Sequence, residues 1–448
     1  MKGRNGGLRG GLSHEPQVTG IIKTGSETMH EKENTESVTL EAVLSKENMR
    51  EAWKSVKANR GAPGVDGMTI AETGTHLKHN WLVIRQKLLD GKYTPGAVRA
   101  VTIPKAGGGK RQLGIPNAQD RLIQQAIGRL LSEEWENEFS EHSYGFRPGR
   151  SAHDAVDAAS EYVKAGKIWV VDIDFKGFFD EVNHDILMNR VREKIKDGNL
   201  LRTIYRYLKA AIRQPDGTQY KPTKGMPQGG PLSPILANIY LHPLDMELEK
   251  RGVAFVRYAD DVAIYASSER SAKRIYENIL RWIEKNLRIP VNTEKSGTGR
   301  TEESALLGFR IDCEGQKHIA PKSTKRFKQK VRELWNAQQS LTSQQLREQW
   351  RRYITGWWEY FGKADIWWEV RNLSGWIRRH IRKCFWIRWK TPAGRINALK
   401  RLGIKGRPLG LGYTGLGAWR VACSWTINRA LSNRTLRKYG FVIPWEPA

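Results

Sequence analysis

Phe255-Val-Arg-Tyr258-Ala-Asp260-Asp261-Val-Ala-Ile-Tyr265 sets two adjacent carboxylates between two apolar runs. Such runs read as strands, and the step between them as a tight hairpin that lifts both acids to the rim of a sheet. Like charges side by side are costly to desolvate unless a cation joins them. A hard divalent ion such as magnesium suits oxygen donors and keeps several waters. A third carboxylate is therefore needed from elsewhere. Val170-Val-Asp172-Ile-Asp174-Phe-Lys-Gly-Phe178-Phe179-Asp180, a short apolar strand ending in acids, offers one. Two ions about 3.5–4 Å apart would then bind a 3′ hydroxyl and an incoming triphosphate for in-line displacement. A lone Asp-Asp pair is most often a plain polar turn. The flanking strands and the second acidic strand set this one apart.

The chain has 448 residues, enough for two or three domains and a sizeable core. Its net charge of +28 and pI near 10 imply a polyanionic partner. The charge is uneven: residues 321–448 hold 27 Lys and Arg against 6 Asp and Glu, a net of +21 that leaves +7 for the first 320. The same tail holds 12 of the 17 tryptophans. Cations interleaved with flat rings suit phosphate neutralisation together with stacking on unpaired bases. Cys313, Cys384 and Cys423 are too scattered for a disulfide framework or a Cys-x-x-Cys zinc site, so a reducing interior and no zinc are expected. No run reaches the ~18 apolar residues of a membrane span, and the start of the chain lacks the apolar core of a secretory signal. No membrane partner is expected.

Residues 1–35 are rich in Gly, Lys and Glu and read as a mobile leader, with order beginning near Val38. Ser45 is placed to cap a helix whose apolar face is Met49, Ala52, Trp53 and Val56. A second helix is expected from His76 to Asp90, closed by Gly91. The stretch from Val101 to Pro116 reads as two strands joined by a glycine tip. This cationic hairpin is suited to hold a triphosphate through Lys105 and Arg111. A helix is expected from Ala118 to about Phe139, another after the cap Ser151, and another from His184 to about Lys196. Lys224-Gly225-Met-Pro227-Gln228-Gly229-Gly230-Pro231 opens a helix over 235–249. Its paired glycines let backbone approach a ligand, and Gln228 both donates and accepts hydrogen bonds. Beyond lie a helix over 271–287, a strand hairpin over 306–311, basic helices over 346–361 and 373–389, and a helix near 426–436.

Taken together, these motifs make the chain resemble the reverse transcriptases encoded within group II introns, also called maturases. The likeness covers roughly residues 40–448. It rests on Tyr258-Ala-Asp260-Asp261, Asp174-Phe-Lys-Gly-Phe-Phe179, Gly225-Met-Pro-Gln228-Gly229, Ser143-Tyr-Gly-Phe-Arg-Pro-Gly-Arg150, Asn292-Thr-Glu-Lys295, Leu307-Gly-Phe309 and Gly356-Trp-Trp, in family order. Each motif alone is modest; their order and spacing carry the weight.

The resemblance implies an α+β right-hand polymerase. Its parts would be the leader (1–35), an N-terminal extension and fingers (36–165), a palm (166–320), a helical thumb or maturase domain X (321–402), and a C-terminal DNA-binding region (403–448). Asp174, Asp260 and Asp261 would be the catalytic, metal-binding acids, joined by Phe175. The metal would be two Mg2+ ions, with Mn2+ as a substitute. Asp172 lies two positions earlier on the same strand; Asp174 is preferred because Phe179 then stands where the family places the wall that rejects a ribose 2′ hydroxyl. Lys105, Arg111, Phe179, Gln228 and Lys295 would bind the nucleotide. Tyr258, Gly308, Phe309 and Arg147 would meet primer and template. Arg351, Arg352, Arg378, Arg379, Arg382 and Lys383 would meet RNA or DNA.

The implied function is RNA-directed DNA synthesis that serves intron mobility by target-primed reverse transcription, combined with binding of the intron RNA to promote splicing. The partners would be group II intron RNA, a DNA target or primer, and dNTPs. The setting would be the bacterial cytoplasm near the nucleoid. Many relatives carry a C-terminal nuclease with paired Cys and His ligands, and none is seen before Ala448. The expectation is a protein that does not cut a second strand itself and primes at forks or exposed single strands. The rivals are a splicing-only maturase and a reverse transcriptase recruited to phage defence or DNA repair.

Overall fold

In the computed structural model, residues 38–104 and 110–446 are described. The expected leader and Lys105 lie outside them. The described strands are β1 (Val98–Pro104), β2 (Lys110–Ile115), β3 (Trp169–Ile173), β4 (Ile212–Arg213), β5 (Gln219–Tyr220), β6 (Ala254–Tyr258), β7 (Asp261–Ala266), β8 (Gly297–Arg300), β9 (Phe309–Ile311) and β10 (Lys317–Ile319). They form three sheets, ordered β2-β1-β4-β5, β6-β7-β3-β8 and β10-β9.

The second sheet is the centre of the fold, and β3, β6 and β7 are largely apolar because both faces are covered, whereas the edge strand β8 (Gly-Thr-Gly-Arg) is only half-buried. Side chains alternate between two cores as strand geometry requires. Val171, Ile173, Phe255, Val262 and Ile264 face one core, with the helices Lys46–Ala58, Ala118–Glu136, Ser233–Lys250 and Glu269–Asn286. Val170, Val256, Ala263 and Tyr265 face the other, with the helices Ala152–Lys164, Pro321–Leu334, Ser343–Phe361 and Leu373–Arg388. Sheet and basic helices thus share one hydrophobic unit. The architecture is α+β, on the right-hand polymerase plan.

Several elements differ from expectation for local reasons. The helix expected from His76 begins at Ile70. Thr69 and Glu72 cap each other reciprocally: Oγ1 of Thr69 accepts from the Glu72 amide at 3.3 Å, and Oε2 of Glu72 from the Thr69 amide at 2.8 Å. The helix from His184 stops at Lys194, and Asp197 caps an additional helix, Gly198–Leu208. The single helix expected near 426–436 is two, Trp425–Ala430 and Asn433–Lys438, with Ser432 capping the second. The tryptophan-rich tail divides as well: Trp335, Trp350, Trp386 and Trp445 are core, whereas Trp368 and Trp425 are more than half exposed.

Candidate active site

The hairpin forms as its sequence suggests. Tyr258 pairs with Asp261, leaving Ala259 and Asp260 as a two-residue loop. On the other side, β3 runs antiparallel to β7 with Asp172 opposite Ala263 and Ile173 opposite Val262. One more pair in that register sets Asp174 opposite Asp261, so the three acids gather at one end of the sheet.

Asp174 is fixed by the loop after residue 289. Its amide donates to Ser296 Oγ at 2.9 Å, and its carbonyl accepts from the Asn292 amide at 2.8 Å. Its carboxylate Oδ2 accepts from Asn292 Nδ2 at 3.1 Å and lies 3.4 Å from Lys295 Nζ. Asp172 is engaged elsewhere: its Oδ2 accepts from Ser304 Oγ at 2.5 Å. Asp261 stands exposed at the rim of the sheet, yet desolvation of its carboxyl, then the charges of Asp260, Asp174 and Asp172, push it up to about 6. Burial raises Asp260 as well, with Arg111 pulling the other way.

A cavity of about 550 Å³ opens in front of Asp174 and Asp260; Asp261 is not among its lining residues. Asp174, Asp260, Arg111, Phe179, Gln228 and Lys295 all line it. Arg111 arrives on β2, opposite Ile103. Phe179 sits on the one-turn helix Phe178–Glu181, and its ring meets that of buried Phe178 edge-on at 5.3 Å. The loop that carries Gln228 is laid directly on this turn. The Met226 amide donates to the Phe179 carbonyl at 2.7 Å, and the Gly225 amide to the Val182 carbonyl at 2.7 Å. Gly225 has φ +84°, and a Cβ there would come within 2.8 Å of the Asp180 carbonyl oxygen, so glycine is required. His184, whose Nε2 lies 2.6 Å from the Gly225 carbonyl oxygen, steadies the same loop. Lys110 and Asn292 also line the cavity and were not singled out from sequence. Their signal was present in motifs already quoted, one beside Arg111 and one opening the turn that ends in Lys295.

The donors are all oxygen, the type a hard divalent cation prefers, and the acids raise one another's affinity for positive charge. Among the described residues, no three His, Cys, Asp or Glu side chains are gathered closely enough to chelate an ion together.

Other expected contact residues are placed differently. Arg147 is buried, and its guanidinium donates to the Ser140 and Ser143 carbonyls and the Glu136 carboxylate at 2.5, 2.9 and 2.8 Å; it ties a loop rather than facing a ligand. Phe309 is 1 % exposed and packs against Tyr360 and Phe361, so it anchors its hairpin from within. Gly308 turns at φ +87°, and its carbonyl accepts from Ser323 Oγ at 3.1 Å. Tyr258 is half-buried at the hairpin. Arg382 is buried and donates to the Leu431 carbonyl at 3.0 Å, and Arg378 pairs with Glu446. Arg351 and Arg352 are exposed, and Arg379 and Lys383 flank the Trp419 ring at 5.0 and 6.0 Å. No helix among the described residues is long and apolar enough to cross a membrane.

Residues 103–311 match the family model described as reverse transcriptase (RNA-dependent DNA polymerase). Residues 324–403 match the maturase-specific domain of group II introns. The chain is 30 % identical to protein YkfC of Escherichia coli over 313 residues, covering 61 % of this chain and 82 % of that one. It is 39 % identical to the group II intron-encoded protein LtrA of Lactococcus lactis over 195 residues, which are 43 % of this chain and 32 % of LtrA. The match thus spans about a third of LtrA. Among solved structures, telomerase from Candida albicans superposes with a TM-score of 0.43 at 13 % identity, over 78 % of this chain and 70 % of that one.

Proposed function

This chain belongs to the reverse transcriptase family, in the branch that carries a group II intron maturase domain, and on that premise we propose that it copies an intron RNA into DNA and assists its splicing. The observation that carries the proposal is the convergence of Asp174, Asp260, Arg111, Phe179, Gln228 and Lys295 on one cavity of about 550 Å³, with Asp261 next to Asp260 and electrostatically coupled to both acids.

In this reading Asp174, Asp260 and Asp261, with the main-chain carbonyl of Phe175, would hold two Mg2+ ions, and Mn2+ would substitute. When bound, the ions supply activation of the 3′ hydroxyl and neutralisation of the triphosphate. Arg111 draws the triphosphate in, and Lys105, which lies outside the described residues, would act with it. Lys295 places a cation where the leaving pyrophosphate gathers charge. Gln228 hydrogen-bonds the nucleotide, and the Phe179 ring stands against the sugar, where a 2′ hydroxyl would clash. Tyr258 and the Gly308 turn border the primer strand. Arg351, Arg352, Arg379 and Lys383 contact RNA or DNA phosphates, with Trp419 available for stacking. Arg147, Phe309, Arg378 and Arg382 hold these surfaces in shape.

The partners in this reading are a group II intron RNA, a DNA target or primer and dNTPs, in the bacterial cytoplasm near the nucleoid. The parts divide near residues 36, 166, 321 and 403. The test is extension of a DNA primer on an RNA template with dNTPs and magnesium. Template-dependent products support the proposal. A folded, RNA-binding chain that makes none would leave only the splicing role.

A further inference from the structure

Beneath the Asp260-Asp261 turn lies a polar group sealed from solvent. Arg257, Asp245 and Asn238 are each 0 % exposed. Asn238 and Asp245 lie two turns apart on the helix Ser233–Lys250 and so share a face. Nε and Nη2 of Arg257 fork onto Oδ1 and Oδ2 of Asp245 at 2.7 and 2.5 Å. Nη1 donates to Asn238 Oδ1 at 3.0 Å and to the Ala259 carbonyl at 2.9 Å. Asn238 continues the chain of bonds, its Nδ2 donating to the Gly145 carbonyl at 2.9 Å.

The bond to Ala259 falls at a sensitive place. Ala259 has φ +57°, and of the two loop residues it alone is in the positive region, the pattern of a type II′ turn. In a type I′ turn the peptide between the two residues is turned over and both need positive φ. The Ala259 carbonyl belongs to that peptide, so a donor anchored on it selects one of the two orientations from which Asp260 projects. On the other side, Gly145 packs so closely that a Cβ there would lie 2.2 Å from the Ala259 nitrogen. The Gly145 loop is itself tied down by Arg147.

Stability is a poor reason for such an arrangement. A buried ion pair is often matched or bettered by apolar side chains of similar volume. An apolar side chain cannot, however, donate to the Ala259 carbonyl. We propose that Arg257, held by Asp245 and Asn238, is a positioning residue that fixes the Ala259–Asp260 peptide and thereby the paired acids, with the Gly145 loop as its backstop. The proposal rests on the reading of Asp260 and Asp261 as metal-binding acids.

The deciding variant is Arg257→Met combined with Asp245→Leu, which removes both charges and leaves an apolar pair. It should melt near the wild-type temperature. In metal-free protein, hydrogen exchange across residues 258–262 should become faster. Mn2+ binding without nucleotide, followed by electron paramagnetic resonance, should weaken about 10–100-fold. The kcat for primer extension should fall about a hundredfold while KM for dNTP stays close to wild type. Arg257→Lys, which keeps the charge but gives up the fork, should show the same split between kcat and KM. A folded double variant with wild-type exchange, Mn2+ affinity and kcat would overturn the proposal. If the wild type itself neither bound Mn2+ nor extended a primer, the polymerase reading would fail. The exchange of residues 258–262 would still decide whether Arg257 holds the turn.

Discussion

Nζ of Lys295 lies 3.4 Å from Oδ2 of Asp174, the oxygen that also accepts from Asn292 Nδ2 at 3.1 Å. The two side chains are 68 % and 37 % exposed, so the pair adds little to stability. Its consequence is a cation beside the acid that is proposed to hold metal. Lys295→Ala should leave the melting curve almost unchanged and lower the rate of single-nucleotide addition about 10–100-fold. Melting paired with single-turnover incorporation checks this. An unchanged rate would remove Lys295 from the chemistry.

Phe179 is carried on a turn braced by buried Phe178 and by the backbone bond from Met226. Its position against the cavity therefore does not depend on its own ring. Phe179→Ala should keep dNTP incorporation and reduce discrimination against ribonucleotides by roughly 10–100-fold. Competition between dNTP and rNTP on one template measures it. If discrimination were unaltered, the sugar would lie elsewhere.

Asp120 gives the fold a pH dependence remote from the acids. Its Oδ1 accepts from Tyr93 Oη at 2.6 Å and from Tyr207 Oη at 3.3 Å, and its Oδ2 from the Gly96 amide at 3.1 Å. Burial nonetheless pushes its carboxyl up to about 6. In the unfolded chain it titrates near 4. The folded state therefore holds the proton more tightly, and stability falls as pH rises through that window. The loss is complete above about pH 6 and amounts to about 3 kcal/mol. Asp120→Asn keeps the Oδ1 acceptor and should flatten this part of the melting profile between about pH 4 and 6.5. Wild-type pH dependence in the variant would contradict the assignment.

The basic tail separates into two kinds of arginine. Arg379 and Lys383 flank the half-exposed Trp419, whereas Arg382 is buried against the Leu431 carbonyl. Replacing Arg379 and Lys383 by Ala should weaken RNA binding and lower its log–log salt slope by about 1–2. Arg382→Ala should instead cost about 2 kcal/mol of stability. Filter binding across a salt series, beside thermal melts, distinguishes them. An unaltered slope in the first variant would place the RNA elsewhere.

The hairpin at Asp260 and the acidic strand were legible because both faces of the central sheet are buried there, which writes β3, β6 and β7 as largely apolar runs. The capping serine Ser45 was legible for a similarly local reason. The roles of Arg147, Phe309 and Arg382 were not, because a cation or a ring in a motif reads the same whether it faces a ligand or braces a loop. That distinction depends on contacts such as Glu136, Tyr360 and Leu431, which lie 11, 51 and 49 residues away. The start of the helix at Ile70 was legible in the reciprocal cap of Thr69 and Glu72, which stands ahead of the expected start at His76. Arg257 was quoted in the deciding stretch, and only the fold shows that its donors reach Ala259.

The most direct measurement sets wild type beside Asp260→Asn in two assays, primer extension on an RNA template and splicing of an intron transcript. Asn keeps the shape of the turn and removes one charge. Extension should fall to background in the variant while splicing persists, since the surfaces proposed for RNA binding lie away from the turn. Equal extension by both proteins would contradict the assignment of the acids. Equal loss of splicing and synthesis in a folded variant would contradict the separation of the two activities.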